Sequence, residues 1–358
     1  MKRKLASVLV AACLTVVMTA CGSLGATGSA TTENETTESK TTENEENETE
    51  ASGEGTSIVL KYAELNPAEH PMAQGGTKFA ELVNEKSNGR IKVELYFNAT
   101  LGDEKSSMQG VQIGTIDMFR ANTNNMGDYN CKIMNALALP YVFTDLEHLH
   151  TTLKGEIGQE LLDAVQTSGT QMVALGYLEE GPRNMFFTEK AVTTLADLKG
   201  LKVRVPETEL MIKTMEALDA NPTPISYAEL YTSLQTGVVD GAENAVTGYV
   251  TNSFNEVAPY YVKDAHTFGP GLIVISEKVW DTMSAEDQAI LQEAAGEAQD
   301  YVYEITEELE EEYYKLLEEK GTEVLEVEDI ENWRDAVKEV YSLYGQEIED
   351  LVTRIQAH

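Results

Sequence analysis

The sequence predicts an α/β protein of two domains, with one long helix running across both. Three observations predict it. Residues 57–119 read strand, helix, strand, helix, strand, an order that gives a parallel sheet with helices on both faces. Beyond a polar N-terminal stretch roughly 300 residues remain, enough for two full hydrophobic cores. From Ser284 to Lys320 the pattern is helical without a break. A helix of about 35 residues is about 50 Å long, more than one small domain spans.

Each element has a local cause. Ser57 to Leu65 begins the fold as a strand, and Asn66-Pro67-Ala68-Glu69-His70-Pro71 is a loop. Met72 to Lys86 is an amphipathic helix with Phe79, Leu82 and Val83 inward, stopped by Asn88-Gly89. Ile91, Val93, Leu95 and Phe97 alternate strictly, the mark of a strand. Leu101-Gly102-Asp103 opens a helix to Ile113, and Gly114 to Phe119 follows as a strand. Asp145 to Leu153 and Gly158 to Thr167 read as helices, Gln171 to Gly176 and Arg183 to Thr188 as strands.

In Leu198-Lys199-Gly200-Leu201-Lys202-Val203-Arg204-Val205-Pro206, Leu201, Val203 and Val205 face one way and Lys202 and Arg204 the other. Gly200 turns the chain into this strand, and Pro206 ends it because proline cannot donate to a ladder. Arg204 therefore sits near the carboxyl end of a strand, where open α/β sheets carry ligands. Its planar guanidinium matches a carboxylate bidentately and stays charged at any working pH. Thr208 to Leu218 and Tyr227 to Gln235 read as helices, Val238 to Asn244 as strand and turn, and Leu272 to Ser276 as a strand. Ser284 is a helix N-cap, with Glu286 and Asp287 favourable in the first turn. A last helix is expected from Ile330 to Ile355.

Composition narrows the partners. The chain has 26 Lys+Arg against 61 Asp+Glu, a formal net charge of −35, which argues against nucleic acid and anionic lipid. Besides Cys21 the mature part has only Cys131, so no intrachain disulfide framework exists, and Cys131 reads as a small buried apolar residue. Glu147-His148-Leu149-His150 is the one arrangement resembling a metal site. Histidines two apart point to different sides of a helix, so no metal is expected. No G-x-S-x-G elbow, P-loop or dinucleotide fingerprint stands at a strand-to-helix turn, so neither an enzyme activity nor a cofactor is expected.

The N-terminus reads as an export signal: basic Lys2-Arg3-Lys4, an apolar run from Leu5 to Ala20, and Met18-Thr19-Ala20-Cys21 at the cleavage point. A cysteine there resembles the bacterial lipobox, with Met18 where leucine is usual, and implies that Cys21 of this 1–21 leader is lipidated. Residues 22–56 are Thr, Glu, Asn, Ser and Gly with nine glutamates against Lys40, and predict a disordered acidic tether. Together they predict an extracytoplasmic protein anchored by lipid to the outer face of the cytoplasmic membrane, a Gram-positive-type surface or a periplasm.

Arg183, the run from Asp197 to Pro206, Asn221-Pro222-Thr223-Pro224, Tyr227, and Leu234-Gln235-Thr236-Gly237-Val238-Val239-Asp240-Gly241-Ala242-Glu243-Asn244 together resemble the extracytoplasmic solute-binding proteins of TRAP transporters. The resemblance runs from Ser57 to the C-terminus. It implies a two-domain periplasmic-binding-protein-like fold with a hinge, crossing strands and a long domain-spanning helix, and a membrane permease as partner. Residues 57–181 plus 270–309 would form domain I, and 182–269 plus 310–358 domain II. Arg204 matches the arginine that pairs with the ligand carboxylate. Arg183 matches a second cleft arginine, Asn244 an asparagine on the carboxylate, and Tyr227 an aromatic beside it. Glu243 takes a cleft position as a group that orients Arg204.

The N-terminal half narrows the ligand. Ala63 to Pro71, Asp117-Met118-Phe119-Arg120-Ala121-Asn122, and Leu139-Pro140-Tyr141-Val142-Phe143 resemble members that bind hexuronates such as D-glucuronate or D-galacturonate. Arg120 matters most, because sialic-acid members carry an uncharged residue there. Asn66 stands where a histidine is usual. With Arg204 and Asn244 on the carboxylate, Glu64, Asn66, Arg120 and Asn122 are left to read ring hydroxyls. Sialic acid, a C4-dicarboxylate or a keto acid are the alternatives, as is a sensor lipoprotein for the same ligands.

Overall fold

The computed structural model describes residues 57–358. The 1–21 leader with Cys21 and the 22–56 tether lie outside the described residues. Two sheets organise the rest. The first begins with strand β1 (Ile58–Ala63), helix α1 (Pro71–Lys86), β2 (Ile91–Tyr96), α2 (Glu104–Ile113) and β3 (Met118–Asn122). Then come α3 (Leu146–Lys154), α4 (Glu156–Thr167) and β4 (Met172–Leu178). The chain crosses at 179–182 into β5 (Arg183–Phe187), α5 (Leu195–Leu198), β6 (Lys202–Val205), α6 (Glu209–Ala217) and β7 (Asn221–Pro224). It continues through α7 (Leu230–Gln235), β8 (Gly241–Ala245), α8 (Val246–Thr251) and β9 (Tyr260–Thr267). A second crossing at 268–270 returns it to β10 (Gly271–Ser276) and α9 (Glu277–Trp280). Helix α10 (Ala285–Lys320) then leads to β11 (Glu323–Glu326) and the closing helices α11 (Ile330–Ala336), α12 (Lys338–Tyr341) and α13 (Gln346–Gln356).

The first sheet has the order β2-β1-β3-β10-β4, the second β11-β9-β5-β8-β6-β7. Strands β1, β2 and β3 are parallel, as the alternating order requires, but β10 lies antiparallel between β3 and β4. The expected all-parallel sheet is thus mixed. β10 arrives directly from the second sheet, and that crossing fixes its direction. Strand β3 starts later than expected, because Gly114 (φ 79°) caps α2 in the left-handed region and residues 115–117 turn before pairing begins. The shift places Arg120 and Asn122 within the strand itself.

Helix α10 runs unbroken from its Ser284 cap, whose hydroxyl accepts the Asp287 N–H, to Gly321 in the left-handed conformation (φ 79°). Its N-terminal half packs on α1 and β4, its C-terminal half on α8 and β11, so one rigid rod touches both sheets. The close approach of α1 depends on Gly75: a Cβ there would lie 2.3 Å from Val302 Cγ2 and 2.7 Å from Leu178 Cδ2. Gly75→Val should therefore destabilise the fold by about 1–3 kcal/mol, through overpacking of the α1–α10 contact. Urea unfolding measures this, and an unchanged midpoint would contradict the packing argument.

The expected single helix from Ile330 to Ile355 is three. Gly345, at φ 84°, breaks the run before α13. Helix α12 packs on α6, while α13 returns to the first-sheet side. There His148 Nε2 donates to Ile355 O (2.8 Å) and Arg354 pairs with Glu160 (2.7 Å). The last helix therefore packs on the first-sheet side of the fold. Strands β7, β9 and β11 were not legible as strands, since Asn221–Pro224 holds two prolines and Tyr260–Thr267 mixes charge with aromatics. Cys131 is fully buried. Among the described residues no helix is long and apolar enough to cross a membrane.

Candidate functional site

The cleft between the sheets is built from the ends of strands and the loops that leave them. Arg120 and Asn122 come from β3, Asn66 from the loop after β1, and Glu180 from the first crossing. Arg183 opens β5, Arg204 lies in β6, Asn244 in β8, and Tyr227 in the turn before α7. All eight line one inner space together with Leu65, Glu104 and Pro206. The structure therefore brings Arg204, Arg183, Asn244, Arg120, Asn66, Asn122 and Tyr227 together from two separate sheets.

The three arginines differ in how they are held. Arg183 is clamped: Nε donates to Glu243 Oε2 (2.6 Å), Nη2 to Glu243 Oε1 (2.9 Å), and Nη1 to Glu180 Oε1. Burial alone would lower its affinity for the proton, but the two carboxylates outweigh it and hold the guanidinium above its ordinary range. Arg120 is held likewise by Glu64, with Nε 3.3 Å and Nη2 3.2 Å from Oε1, while Nη1 donates to Asn122 Oδ1 (2.7 Å). Here too burial is outweighed, by Glu64 and then Glu104.

Arg204 has no such partner. Its Nε donates to the Ile225 carbonyl (2.8 Å), and its guanidinium carbon stands 5.7 Å from the centre of the Tyr227 ring. It is 2% exposed, and its pKa is lowered, first by burial, with Glu243 opposing and the like charge of Arg183 adding to the fall. Among the described residues it is the one buried arginine without an acid partner, and it lines the inner space. Such a cation is costly unless something anionic joins it.

Two expected site residues sit elsewhere. Glu64 and Glu243 are fully buried behind the arginines and do not reach the inner space. Glu64 accepts from Arg120 and from both the backbone and side chain of Asn66 (2.9 and 3.1 Å), so its lone pairs are spent on positioning. Glu243 orients Arg183 rather than Arg204. The reason is register: β5 and β8 are neighbours with Met185 opposite Glu243, whereas β6 meets β8 only at Val203–Gly241.

Tyr227 and Asn244 form one unit. The Tyr227 hydroxyl accepts from Asn244 Nδ2 (3.0 Å) and Asn252 Nδ2 (2.9 Å), which leaves its own proton for another acceptor. Burial raises its pKa, so it stays a donor. Sequence reasoning missed Glu104, which accepts from Asn122 Nδ2 (2.9 Å), and Glu180, which also receives His70 Nε2 (3.2 Å). His70 Nδ1 accepts the Met72 N–H at the start of α1, so the ring proton is on Nε2. Glu180, three residues before Arg183, was the only sequence signal for this clamp.

Behind Arg183 the ion chain continues. His266 Nε2 lies 3.5 Å from Glu243 Oε2, and its Nδ1 donates to Asp264 Oδ2 (2.8 Å). Burial pushes Glu243 up, but Arg183 and His266 pull it down to about 2; burial pushes His266 down, but Asp264 and Glu243 raise it to about 9. The signs set a stability window. Glu243, depressed from 4.5, contributes stability above that value and loses it as pH falls towards 2. His266, raised from 6.5, contributes fully below that value and loses it as pH rises through 9. Stability should thus be flat between about pH 4.5 and 6.5 and fall on both sides. Urea midpoints measured from pH 3 to 10 check this, and Glu243→Gln should flatten the acid limb.

The inner space itself is small, about 20 Å³. That is little more than the roughly 10–15 Å³ one water requires. It opens into two larger chambers that share Glu104 and Tyr227 as walls. One is about 430 Å³, against α2 and the turn of residues 123–129; the other is about 250 Å³, against α7 and α8.

Two α/β lobes joined by two crossing segments and a shared rod, with a charged cleft between them, define an extracytoplasmic solute-binding protein of the TRAP type. The chain belongs to the bacterial extracellular solute-binding proteins, family 7, whose model matches residues 62–347. Its sequence is 32% identical over 277 residues to the 2,3-diketo-L-gulonate-binding periplasmic protein of Escherichia coli, covering 77% of this chain and 81% of that one. Two solved TRAP periplasmic solute-binding proteins are similar in structure. One, from Bradyrhizobium sp. BTAi1 in complex with D-galacturonate, has a TM-score of 0.80 and 35% identity, over 84% of this chain and 99% of its own. The other, from Pseudomonas putida F1 with bound D-glucuronate, has a TM-score of 0.81 and 32% identity, over 84% and 97%.

Proposed function

We propose that this chain captures a hexuronate, D-glucuronate or D-galacturonate, for a TRAP permease. The observation that carries the reading is how the cleft arginines are paired. Arg120 and Arg183 are already matched by Glu64, Glu243 and Glu180, so Arg204 alone awaits an anion. One unmatched guanidinium fits one carboxylate, as in a uronate. Arg204 and the Asn244–Tyr227 pair take the carboxylate, and Asn66, Arg120, Asn122 and Glu104 read ring hydroxyls. The bound ligands of the two similar structures support this choice.

Capture proceeds by closure. The inner space is too narrow for a ring, so the lobes part about the 179–182 and 268–270 crossings, admit the ligand and close on it. Closing removes water and strengthens each charged hydrogen bond. Micromolar binding needs about 8 kcal/mol. Hydrogen bonds to charged groups contribute roughly 1.5–3 kcal/mol each, so a carboxylate clamp and a few sugar contacts suffice after ordering costs. In this reading domain I is 57–181 plus 270–309 with α13 packed on it, and domain II is 182–269 with the rest of the C-terminal part.

Calorimetric titration with hexuronates, sialic acid, C4-dicarboxylates and keto acids tests the reading. A hexuronate should bind at micromolar strength or better. The matching aldarate, with a second carboxylate in place of the anomeric carbon, should bind at least tenfold more weakly, because its extra charge meets no free cation. Equal or tighter binding of the dicarboxylate would overturn the pairing argument. The anchor belongs to the same proposal: Cys21 carries the lipid, and residues 22–56 hold the binding lobes clear of the membrane. Mass spectrometry of the mature N-terminus checks it, and an unmodified or absent Cys21 would remove the anchor without touching the ligand assignment.

A further inference from the structure

The larger chamber, about 430 Å³, lies within the size range of small-molecule sites, roughly 300–1,000 Å³. It meets the inner space at a common wall of Glu104, Arg204, Pro206 and Tyr227, and its other walls are different residues. Two polar groups facing it are more than nine-tenths buried and unmatched among the described residues. One is the Arg204 guanidinium; the other is the amide of Asn125, 6% exposed and without a hydrogen bond to another described side chain or backbone group. Tyr129 adds an aromatic face. Besides Arg204, which the carboxylate occupies in the proposed reading, the charged groups are Asp103, Glu104, Asp128 and Glu207 against Lys105, so the chamber repels a second anion.

The common wall limits which part of a uronate can reach this chamber. With the carboxylate on Arg204, the ligand atoms nearest that wall are the two flanking the carboxyl-bearing carbon. One is the ring oxygen, which carries no substituent. The other is the carbon bearing the 4-hydroxyl. We propose that the site accepts uronates bearing a neutral sugar on the 4-oxygen, with that second ring lying in the chamber. There the Asn125 amide bonds its hydroxyls and Tyr129 covers its face. The ligand class is then an acidic disaccharide with a uronate at its reducing end, and not the free monosaccharide alone. The proposal rests on the uronate reading above and extends it.

The test is calorimetric titration of the full chain with D-glucuronate and D-galacturonate and with the 4-O-hexosyl derivative of each. The derivative of the preferred uronate should bind within tenfold of its parent or tighter. Gln109→Trp, at the exposed mouth of the chamber, should weaken the derivative more than tenfold and leave the parent within twofold; Asn125→Ala should act in the same direction. A parent that binds while its derivative is more than tenfold weaker would overturn the proposal and leave the uronate reading intact. So would a Gln109→Trp protein that treats both ligands alike. If none of the sugars binds, the uronate reading itself fails, and the disaccharide assignment fails with it.

Discussion

Replacing Arg204 by methionine should weaken hexuronate binding by two orders of magnitude or more, while the thermal midpoint of the ligand-free protein stays within a few degrees or rises. The guanidinium makes one hydrogen bond to the protein, from Nε to the Ile225 carbonyl, and rests over Tyr227. In the proposed reading its terminal nitrogens take the ligand carboxylate. Losing two charged hydrogen bonds of about 1.5–3 kcal/mol each corresponds to roughly 10²–10⁴ in affinity. The stability side has the opposite sign from most core changes. A buried cation without a counter-ion is a cost to the free protein, and an apolar side chain of similar length removes it. Titration calorimetry reads the affinity and scanning calorimetry the midpoint. Near-normal binding would sink the assignment of Arg204 as the carboxylate partner.

Arg183→Met should do the reverse, and lose about 3–5 kcal/mol of folding stability. Here the guanidinium bonds both oxygens of Glu243 and one of Glu180, and its removal leaves carboxylates buried without compensation. Glu243 retains only His266 at 3.5 Å, and Glu180 only His70 at 3.2 Å. The unfolding midpoint in urea measures the loss. The double change Arg183→Met with Glu243→Leu should recover part of it, because removing both partners of a buried pair is far less costly than removing one. Equal destabilisation by the Arg204 and Arg183 changes would mean that the two arginines are not divided into a ligand partner and a structural clamp.

Only half of that division was legible in the chain. The resemblance already set Arg204 as the carboxylate arginine and Arg183 as a second cleft arginine, but no local pattern showed that Arg183 would be clamped by acids. What separates them is a partner 60 residues away: Glu243 reaches Arg183 because β8 lies directly beside β5. The same distance effect removed Glu64 from the ligand face. At the end of the first strand, two residues before Asn66, it reads as one more polar group for the ligand, yet it faces Arg120, 56 residues on, and is fully buried. Glu104 was missed for the converse reason. As an acid in the first turn of α2 it has an ordinary helix-dipole role, and only the fold turns that helix end towards Arg204.

By itself the sequence determined the features that short-range physics controls. The long helix from the Ser284 cap to Gly321, the strand carrying Arg204, and the run of α1 are set by capping, periodicity and glycine conformation within a few residues. They were readable for that reason. The tertiary structure alone decided the antiparallel insertion of β10, the return of α13 to the first-sheet side, and the clamping of Arg183 by Glu243 and Glu180. Each of these depends on which segments become neighbours, and ion pairing inside a protein follows proximity in space, in a medium where a buried charge must find its partner.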